Sequence, residues 1–168
     1  MNLLELFAPI RTFVFDVDGV LTAGDLMLTE DGHMLRSMNI KDGYAMQLAI
    51  KKGYKIWIIS GAKSDGVRQR LSKLGIMEIH TGIESKKELL HDIALASATE
   101  YHSVLYMGDD IPDYAAMQAC GLPCCPNDAV PEIKQVAKYI SPYAGGKGCV
   151  RDVIEKVLKL NGDWDLPV

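Results

Sequence analysis

The chain lacks any long apolar run. No segment reaches the roughly 18 consecutive apolar residues that a membrane-spanning helix needs. The start, MNLLELF, also lacks the longer apolar stretch of a secretory signal. We therefore expect a cytoplasmic protein with no membrane partner.

Positive charge is not in excess either. Lys and Arg total 18 against 22 Asp and Glu, which gives a formal net charge of −4. Attraction to a phosphate backbone needs a basic surface, so we expect no nucleic-acid partner. Cysteines are few and lack the paired C-x-x-C spacing of a zinc ribbon. We expect buried or reduced thiols at Cys120, Cys124, Cys125 and Cys149.

The length and composition are typical of one globular domain. A chain of 168 residues with 48% hydrophobic residues buries roughly 68–70% of the surface that its unfolded form exposes. That burial can offset the entropy of ordering, so we expect a folded chain rather than a disordered one. No linker or repeat divides the chain, and we expect a single domain over residues 1–168.

Apolar runs rich in β-branched residues alternate with amphipathic stretches. The best strand candidates are RTFVFDV (11–17), YKIWIIS (54–60) and SVLYMG (103–108). Each is too apolar to be half exposed, which is typical of strands buried on both faces of a parallel sheet. The other stretches predict helices near 42–52, 64–74, 84–98, 111–119, 131–138 and 148–160. The alternation predicts an α/β fold with a central parallel sheet.

Residues 20–40 interrupt this alternation. Apolar and polar residues alternate on both sides of Glu30-Asp31-Gly32, and Asp-Gly between such runs predicts a β-hairpin. The hairpin follows the first strand directly, where open α/β sheets bind ligands. Two interpretations stay open: a flap over a site, or an ordinary hairpin at a sheet edge.

Carboxylates follow two of the predicted strands. Asp16 and Asp18 close the first strand, and the two-residue period of a strand predicts that both point to one side. Asp109, Asp110 and Asp113 follow the strand at 103–108 and open a helix, where Asp also serves as a cap. Neighbouring parallel strands lie about 4.8 Å apart, so Asp16 and Asp109 could share one divalent cation.

An anionic substrate would also need donors. Ser60 and Gly61 end the strand at 54–60 and supply a hydroxyl and an approachable backbone amide. Lys86 opens a predicted helix, where its charge and the helix N-terminus both favour a phosphate oxygen. Each feature taken alone also fits a simple turn or a solvated lysine.

Taken in order, DVDGV, Ser60, Lys86 and GDDxxD resemble the four motifs of the haloacid dehalogenase superfamily of phosphohydrolases. The resemblance covers residues 12–113 and implies a Rossmann-like three-layer sandwich, here with the hairpin as a flap and no cap domain. It implies that Asp16 is the nucleophile and Asp18 the general acid and base. Ser60, Gly61 and Lys86 would then bind phosphate.

The same resemblance implies Mg²⁺ as the cofactor. Its ligands would be the Asp16 carboxylate, the backbone oxygen of Asp18, and Asp109. Asp110 and Asp113 would not bind the metal themselves but would hold these ligands in position, although Asp110 could also reach the metal directly.

Further segments resemble 3-deoxy-D-manno-octulosonate 8-phosphate (KDO 8-phosphate) phosphatases over nearly the whole chain. They are Lys41-Asp42-Gly43-Tyr44, the pattern ISGxxSxxVxxRxxxLGI at 59–76, and Gly145-Gly146-Lys147-Gly148. The resemblance implies a sugar-acid phosphate substrate, a role in making the KDO of lipopolysaccharide, and a homotetramer assembled through residues 24–38. Arg70, Lys73 and Gly43 would bind the sugar acid, partly across the subunit boundary, and the tail glycines would let backbone pass close to a ligand or a neighbouring subunit.

One position departs from the family. Octulosonate phosphatases often have a basic residue after the Ser-Gly of the second motif, and a nonulosonate-specific relative has Glu, whereas this chain has Ala62. A phosphatase of a nine-carbon nonulosonate 9-phosphate therefore stays an alternative. A non-catalytic regulatory or phospho-acceptor module is the second alternative, although a receiver module would carry its acceptor where this chain has Ser60.

Overall fold

The computed structural model describes residues 3–165 and contains a six-stranded parallel sheet. The strands, in chain order, are β1 (Thr12–Phe15), β2 (Met27–Leu28), β3 (Met34–Leu35), β4 (Lys55–Ile59), β5 (Glu78–His80), β6 (Val104–Met107), β7 (Leu122–Cys125) and β8 (Tyr139–Ile140). The sheet has the order β5-β4-β1-β6-β7-β8, and every neighbouring pair is parallel. The predicted α/β fold with a parallel sheet is confirmed.

Helices cover both faces of this sheet. They are α1 (Leu3–Phe7), α2 (Ile40–Lys51), α3 (Asp65–Lys73), α4 (Lys86–Ala96), α5 (Tyr114–Ala119), α6 (Pro131–Val136) and α7 (Cys149–Leu160). One core lies under α1, α2, α3 and α7, and a second lies under α4, α5 and α6. The result is the predicted three-layer sandwich.

Strand β1 lies at the centre of the sheet, and its side chains alternate between the two cores. Phe13 and Phe15 belong to one core, whereas Val14 belongs to the other, and all three are fully buried. A strand of this kind must be apolar at every position. This burial explains why the run RTFVFDV does not alternate with polar residues.

Several boundaries differ from the predictions. The first strand ends at Phe15 rather than at residue 17. Three further strands, β5, β7 and β8, have only three, four and two residues, and β7 includes Pro123, which is unusual inside a sheet. Such short segments carry too little periodicity to be recognised in a sequence. The predicted helices are all present within a few residues, but α1 was missed.

The hairpin forms a separate antiparallel sheet. Strand β2 pairs with β3, and an isolated bridge joins Thr22 to Met38 at the base. Neither strand joins the main sheet, so the interpretation as a hairpin at a sheet edge is wrong. Its apolar side chains are largely exposed, at 41–68% of their surface: Leu26, Met27, Leu28, Met34 and Leu35. These five side chains form the hairpin patch.

All four cysteines are free and buried, as predicted. Over residues 3–165, no helix has the length and apolar character needed to cross a bilayer.

Candidate active site

A cavity of about 280 Å³ opens where β1, β4 and β6 end. These three strands are neighbours and run in one direction, so the residues that follow them converge at one edge of the sheet. The cavity is lined by seven of the predicted site residues: Asp16, Asp18, Ser60, Gly61, Lys86, Asp109 and Asp110. A larger cavity of about 650 Å³, with many lysines, lies between α2 and α7 and contains none of them.

Lys86 joins two carboxylates at the base of this cavity. Its Nζ lies 2.9 Å from Asp16 Oδ2 and 2.7 Å from Asp113 Oδ1, and the lysine side chain is only 4% exposed. Burial by itself lowers the pKa of Lys86, but the charges of Asp113 and Asp16 outweigh it and raise the pKa above its usual value. Lys86 therefore stays charged and holds Asp16 in place.

Asp16 lies just beyond β1, where the backbone leaves the sheet. Its Oδ1 accepts a hydrogen bond from the N–H of Val17 at 2.7 Å. A tight turn over Val17–Leu21 follows, in which Gly19 has a φ of +87°. The prediction that Asp16 and Asp18 project from one face of a strand is wrong, because the strand ends at Phe15. Both residues still line the cavity.

Carboxylate oxygens of Asp16, Asp109 and Asp113 lie within 4.8 Å of one another. Burial, reinforced by the charge of Asp113, raises the pKa of Asp16 to about 8. The pKa of Asp109 is raised to about 7 by burial and by the charges of Asp113 and Asp110. Within residues 3–165, Asp109 Oδ1 is buried and has no hydrogen-bond partner. Concentrated negative charge with a free oxygen ligand fits a hard divalent cation.

Asp113 and Asp110 differ in their surroundings. Asp113 is fully buried, and its Oδ1 accepts hydrogen bonds from Lys86 and from the hydroxyl of Tyr106, at 2.7 and 2.9 Å. Its Oδ2 accepts the N–H of Asp109 at 3.3 Å. Since both oxygens are engaged, Asp113 supports its neighbours rather than offering a free ligand. Asp110 is exposed and accepts the N–H of Ile111 at 2.7 Å, as a helix cap does.

Sequence reasoning missed Arg36, which follows β3 in the hairpin. Its guanidinium bonds the carboxylate of Asp18 through Nε, at 2.6 Å from Oδ1, and through Nη2, at 3.1 Å from Oδ2. No sequence signal identifies this pair, because an arginine in an exposed hairpin looks like any solvated cation.

Arg70, Lys73 and Gly43 lie away from the cavity of their own chain. Arg70 packs against α2, where a Cβ added to Gly43 would lie 2.9 Å from Arg70 Nη2. Lys73 is exposed. Glycine at residue 43 therefore makes room for the arginine.

The tail glycines pack against the turn that follows Asp16. A Cβ on Gly145 would lie 1.9 Å from the carbonyl oxygen of Gly19, and one on Gly146 would lie 2.5 Å from the backbone nitrogen of Ala23. The N–H of Gly146 also donates to the carbonyl of Val20 at 2.9 Å. The structure therefore brings these glycines close to the turn of their own chain, whereas the predicted approach to a ligand or a neighbouring subunit stays a prediction.

We expect Gly145→Ala to displace this turn, because the added methyl group meets backbone that cannot rotate away. Overpacking of this kind typically lowers the free energy of unfolding by about 1–3 kcal/mol. Urea unfolding measures this loss. Gly66→Ala is the matched control, since Gly66 lies in α3 with open space around it. That substitution is expected to stabilise the helix by roughly 0.5–1 kcal/mol. Equal effects at the two positions would contradict the packing argument.

The acidic groups after β1 and β6 and the hydroxyl after β4 place the chain in the haloacid dehalogenase superfamily, the class that the motifs predicted. No family model matches the chain. Its sequence is 34% identical over 156 residues to the 3-deoxy-D-manno-octulosonate 8-phosphate phosphatase of Salmonella typhi, covering 93% of this chain and 83% of the relative. The chain belongs to the family of 3-deoxy-D-manno-octulosonate 8-phosphate phosphatases.

Solved structures of phosphatases with this name are similar to the chain. The phosphatase of this name from Moraxella catarrhalis, in complex with magnesium, phosphate and KDO, superimposes with a TM-score of 0.93 at 29% identity over 98% of this chain and 94% of that one. The cobalt-bound enzyme from Haemophilus influenzae has a TM-score of 0.88 at 28% identity, over 94% and 92%.

Proposed function

We propose that the chain is a Mg²⁺-dependent phosphatase that hydrolyses KDO 8-phosphate. The observation that carries the proposal is the position of Asp16, which is held by Lys86 beside the acidic groups of Asp109 and Asp113 at one edge of the sheet. Its 34% identity to curated enzymes of this name supports the choice of substrate. The reaction would supply KDO for lipopolysaccharide in the cytoplasm, from one domain spanning residues 1–168.

In the first step, a carboxylate oxygen of Asp16 attacks phosphorus in line with the sugar oxygen. A bond forms between Asp16 and phosphorus while the bond from phosphorus to the sugar oxygen breaks. An alkoxide is a poor leaving group, so Asp18 donates a proton to the departing oxygen. The products of this step are the sugar alcohol and an aspartyl-phosphate.

In the second step, water attacks the phosphorus of the aspartyl-phosphate. Asp18, now ionised, accepts a proton from this water, and the bond between phosphorus and Asp16 breaks. Inorganic phosphate leaves and Asp16 returns to its carboxylate form. The two steps together consume one water molecule and restore both aspartates.

Ser60, Gly61 and Lys86 neutralise the phosphoryl oxygens. All three line the cavity beside Asp16, so a phosphate next to Asp16 meets a hydroxyl, a backbone amide and an ammonium group. Negative charge lies on these oxygens in the transition state, and donors already in position stabilise it.

Asp16, Asp109 and the backbone oxygen of Asp18 would hold Mg²⁺, supported by Asp113. The buried, unpartnered Oδ1 of Asp109 fits such a ligand. When bound, the cation neutralises phosphate charge and keeps Asp16 ionised.

We expect Mg²⁺ to raise the unfolding temperature more at pH 8 than at pH 6. The pKa values of Asp16 and Asp109, about 8 and 7, lie well above the usual aspartate value of 3.8. The folded protein therefore binds more protons than the unfolded chain between about pH 4 and pH 8, and without metal it loses stability as the pH rises. The cation needs ionised ligands, so its affinity increases over this range.

Differential scanning calorimetry with Mg²⁺ or EDTA measures this effect. At 100 times the dissociation constant, binding contributes about 2.7 kcal/mol, or roughly 5–10 °C for a chain of this length. In Asp109→Asn, Mg²⁺ should no longer raise the unfolding temperature. In the control Asp92→Asn, which changes an exposed position of α4, Mg²⁺ should raise it as in the unsubstituted protein. An increase of equal size at both pH values would argue against the carboxylates as ligands.

We also propose a homotetramer in which residues 24–38 form the interface. The exposed hairpin patch supports this arrangement, since a partner would cover it. Arg70 and Lys73, which lie outside the cavity of their own chain, would then bind the sugar-acid carboxylate in a neighbour's site. Light scattering should give four times the 18.5 kDa chain mass, and a monomer would refute the assembly.

Phosphate release tests the main proposal. The purified protein is given KDO 8-phosphate, a nonulosonate 9-phosphate and simple sugar phosphates, each with Mg²⁺ and with EDTA. We expect metal-dependent release that is fastest from KDO 8-phosphate. Absence of release from every compound, by a folded and metal-loaded protein, would favour the regulatory alternative.

The nonulosonate 9-phosphate is the second candidate substrate because of Ala62. This residue lines the cavity directly after Ser60 and Gly61 and supplies neither the basic nor the acidic side chain of the related enzymes. Faster phosphate release from the nine-carbon substrate would leave the proposed mechanism unchanged but would assign the enzyme to a different pathway.

A further inference from the structure

The larger cavity, between α2 and α7, concentrates positive charge. Its volume is about 650 Å³, and it shares no lining residue with the active-site cavity. Five cationic side chains and two carboxylates line it: Lys41, Lys147, Arg151, Lys156 and Lys159, with Asp152 and Glu155. The chain as a whole has a formal net charge of −4. The cavity therefore has the opposite sign to the molecule around it, and a cleft of one sign attracts ligands of the other.

The two carboxylates are already paired with cations of α7. Glu155 contacts Arg151 Nε at 3.1 Å and Lys159 Nζ at 2.5 Å. Asp152 pairs with Lys156 and also accepts hydrogen bonds from two hydroxyl groups. All four carboxylate oxygens are thus engaged, and none is left to neutralise the other cations of the cavity.

Lys41 and Lys147 are those other cations. Within residues 3–165, neither ammonium group takes part in an ion pair or a hydrogen bond. Lys41 lies in the first turn of α2 and Lys147 just before α7, so the two charges reach the cavity from different elements. In the same part of the chain, the hydroxyl of Tyr143 and the amide nitrogen of Asn39 have no partner either. The cavity therefore offers four unused donor groups.

The size of the cavity favours an organic anion over a single inorganic one. A phosphate ion would occupy a small part of the cavity, whereas organic ligands commonly bind in cavities of roughly 300–1,000 Å³. Tyr143 is 50% exposed, and its ring lies beside Gly148, where an added Cβ would be 3.8 Å from the ring atom Cγ. An open aromatic ring next to unpaired ammonium groups suits a molecule that joins a ring to anionic groups.

We propose that this cavity binds a small organic molecule with two or more phosphate or carboxylate groups, at a site separate from the cavity that contains Asp16. Lys41 and Lys147 bind the anionic groups, and Tyr143 packs against the organic part. Nucleoside triphosphates and sugar-acid phosphates share this chemistry, so one compound of each class serves as a probe. The inference does not depend on the proposed function, because it concerns binding without turnover.

Isothermal titration calorimetry with ATP and with KDO 8-phosphate, both in EDTA, tests the site. EDTA removes divalent cations, so metal-dependent hydrolysis does not disturb the titration. We expect at least one of the two probes to bind, and the tighter one identifies the class of ligand. Its affinity should fall at least about tenfold in Lys41→Met and in Lys147→Met, since each substitution removes a contact between a charged donor and an anion.

Two control variants locate the binding. Lys51→Met changes an exposed lysine at the other end of α2, outside the cavity, and should leave the affinity unchanged. Ser60→Ala changes the active-site cavity and should also leave it unchanged. Lys41 and Lys147 are exposed, so their substitution should not disturb the fold, and circular dichroism checks this.

Three results would overturn the proposal. The first is no binding of either probe at concentrations up to about 1 mM. The second is an equal fall in affinity in Lys51→Met, which would indicate general attraction to a charged surface. The third is a fall in Ser60→Ala but not in Lys41→Met or Lys147→Met, which would place the probe in the active site.

Discussion

Asp16→Asn should reduce phosphate release by about 10⁴-fold or more, because an amide cannot attack phosphorus and the aspartyl-phosphate cannot form. The fold should persist. Burial raises the pKa of Asp16 to about 8, which means that the charged carboxylate is unfavourable at this site. The substitution puts a neutral group of the same shape in its place. Lys86 keeps Asp113 as its partner.

Steady-state phosphate release measures the loss, and circular dichroism checks the fold. Asp92→Asn makes the same chemical change at an exposed position of α4 and should retain full activity. A folded Asp16→Asn protein with more than about one hundredth of the original rate would remove Asp16 as the nucleophile.

Lys86→Met should lose both activity and stability. The substitution leaves the buried carboxylates of Asp16 and Asp113 facing each other with no cation, and breaking a buried ion pair in this way typically costs about 3–5 kcal/mol. The pKa of Lys86 is raised in the folded protein, so its stabilising contribution is fully present below pH 10.5 and is lost only as the pH rises through the higher folded value.

Urea unfolding in EDTA at pH 8 and pH 5.5 measures the loss. The deficit should be smaller at pH 5.5, because protonation of the unpaired carboxylates relieves their repulsion. Lys87→Met is the control, since Lys87 is the next residue of α4 and is exposed. Equal losses of unfolding free energy in the two variants would show that the ion pairs of Lys86 do not stabilise the fold.

The positions of Asp16, Ser60 and Asp109 were predictable because each follows a long apolar run. Such runs identify the central strands of a parallel sheet, and the ends of neighbouring strands must meet. The short strand β8 carried no comparable signal, and neither did β7 with its proline at residue 123.

The surroundings of Asp18 were not predictable from local pattern. Strand geometry was the natural assumption for Asp16-Val17-Asp18, but the turn at Gly19 ends it, and that turn packs against Gly145. The pairing of Asp18 with Arg36 likewise depends on how the hairpin folds back toward the turn that contains Asp18. Contacts between distant segments decide both features, and a single sequence does not reveal them.

The central position of β1 also affects how the protein is made. Strand β1 leaves the ribosome first, but its partners in the sheet are β4 and β6, which begin at residues 55 and 104. Pairing over such separations is slow, so the nascent chain exposes an unpaired apolar strand and the hairpin patch while the rest is synthesised. A product that terminates before residue 104 would carry Asp16 and Lys86 without the strand that brings Asp109 to them, and would be both inert and prone to aggregate.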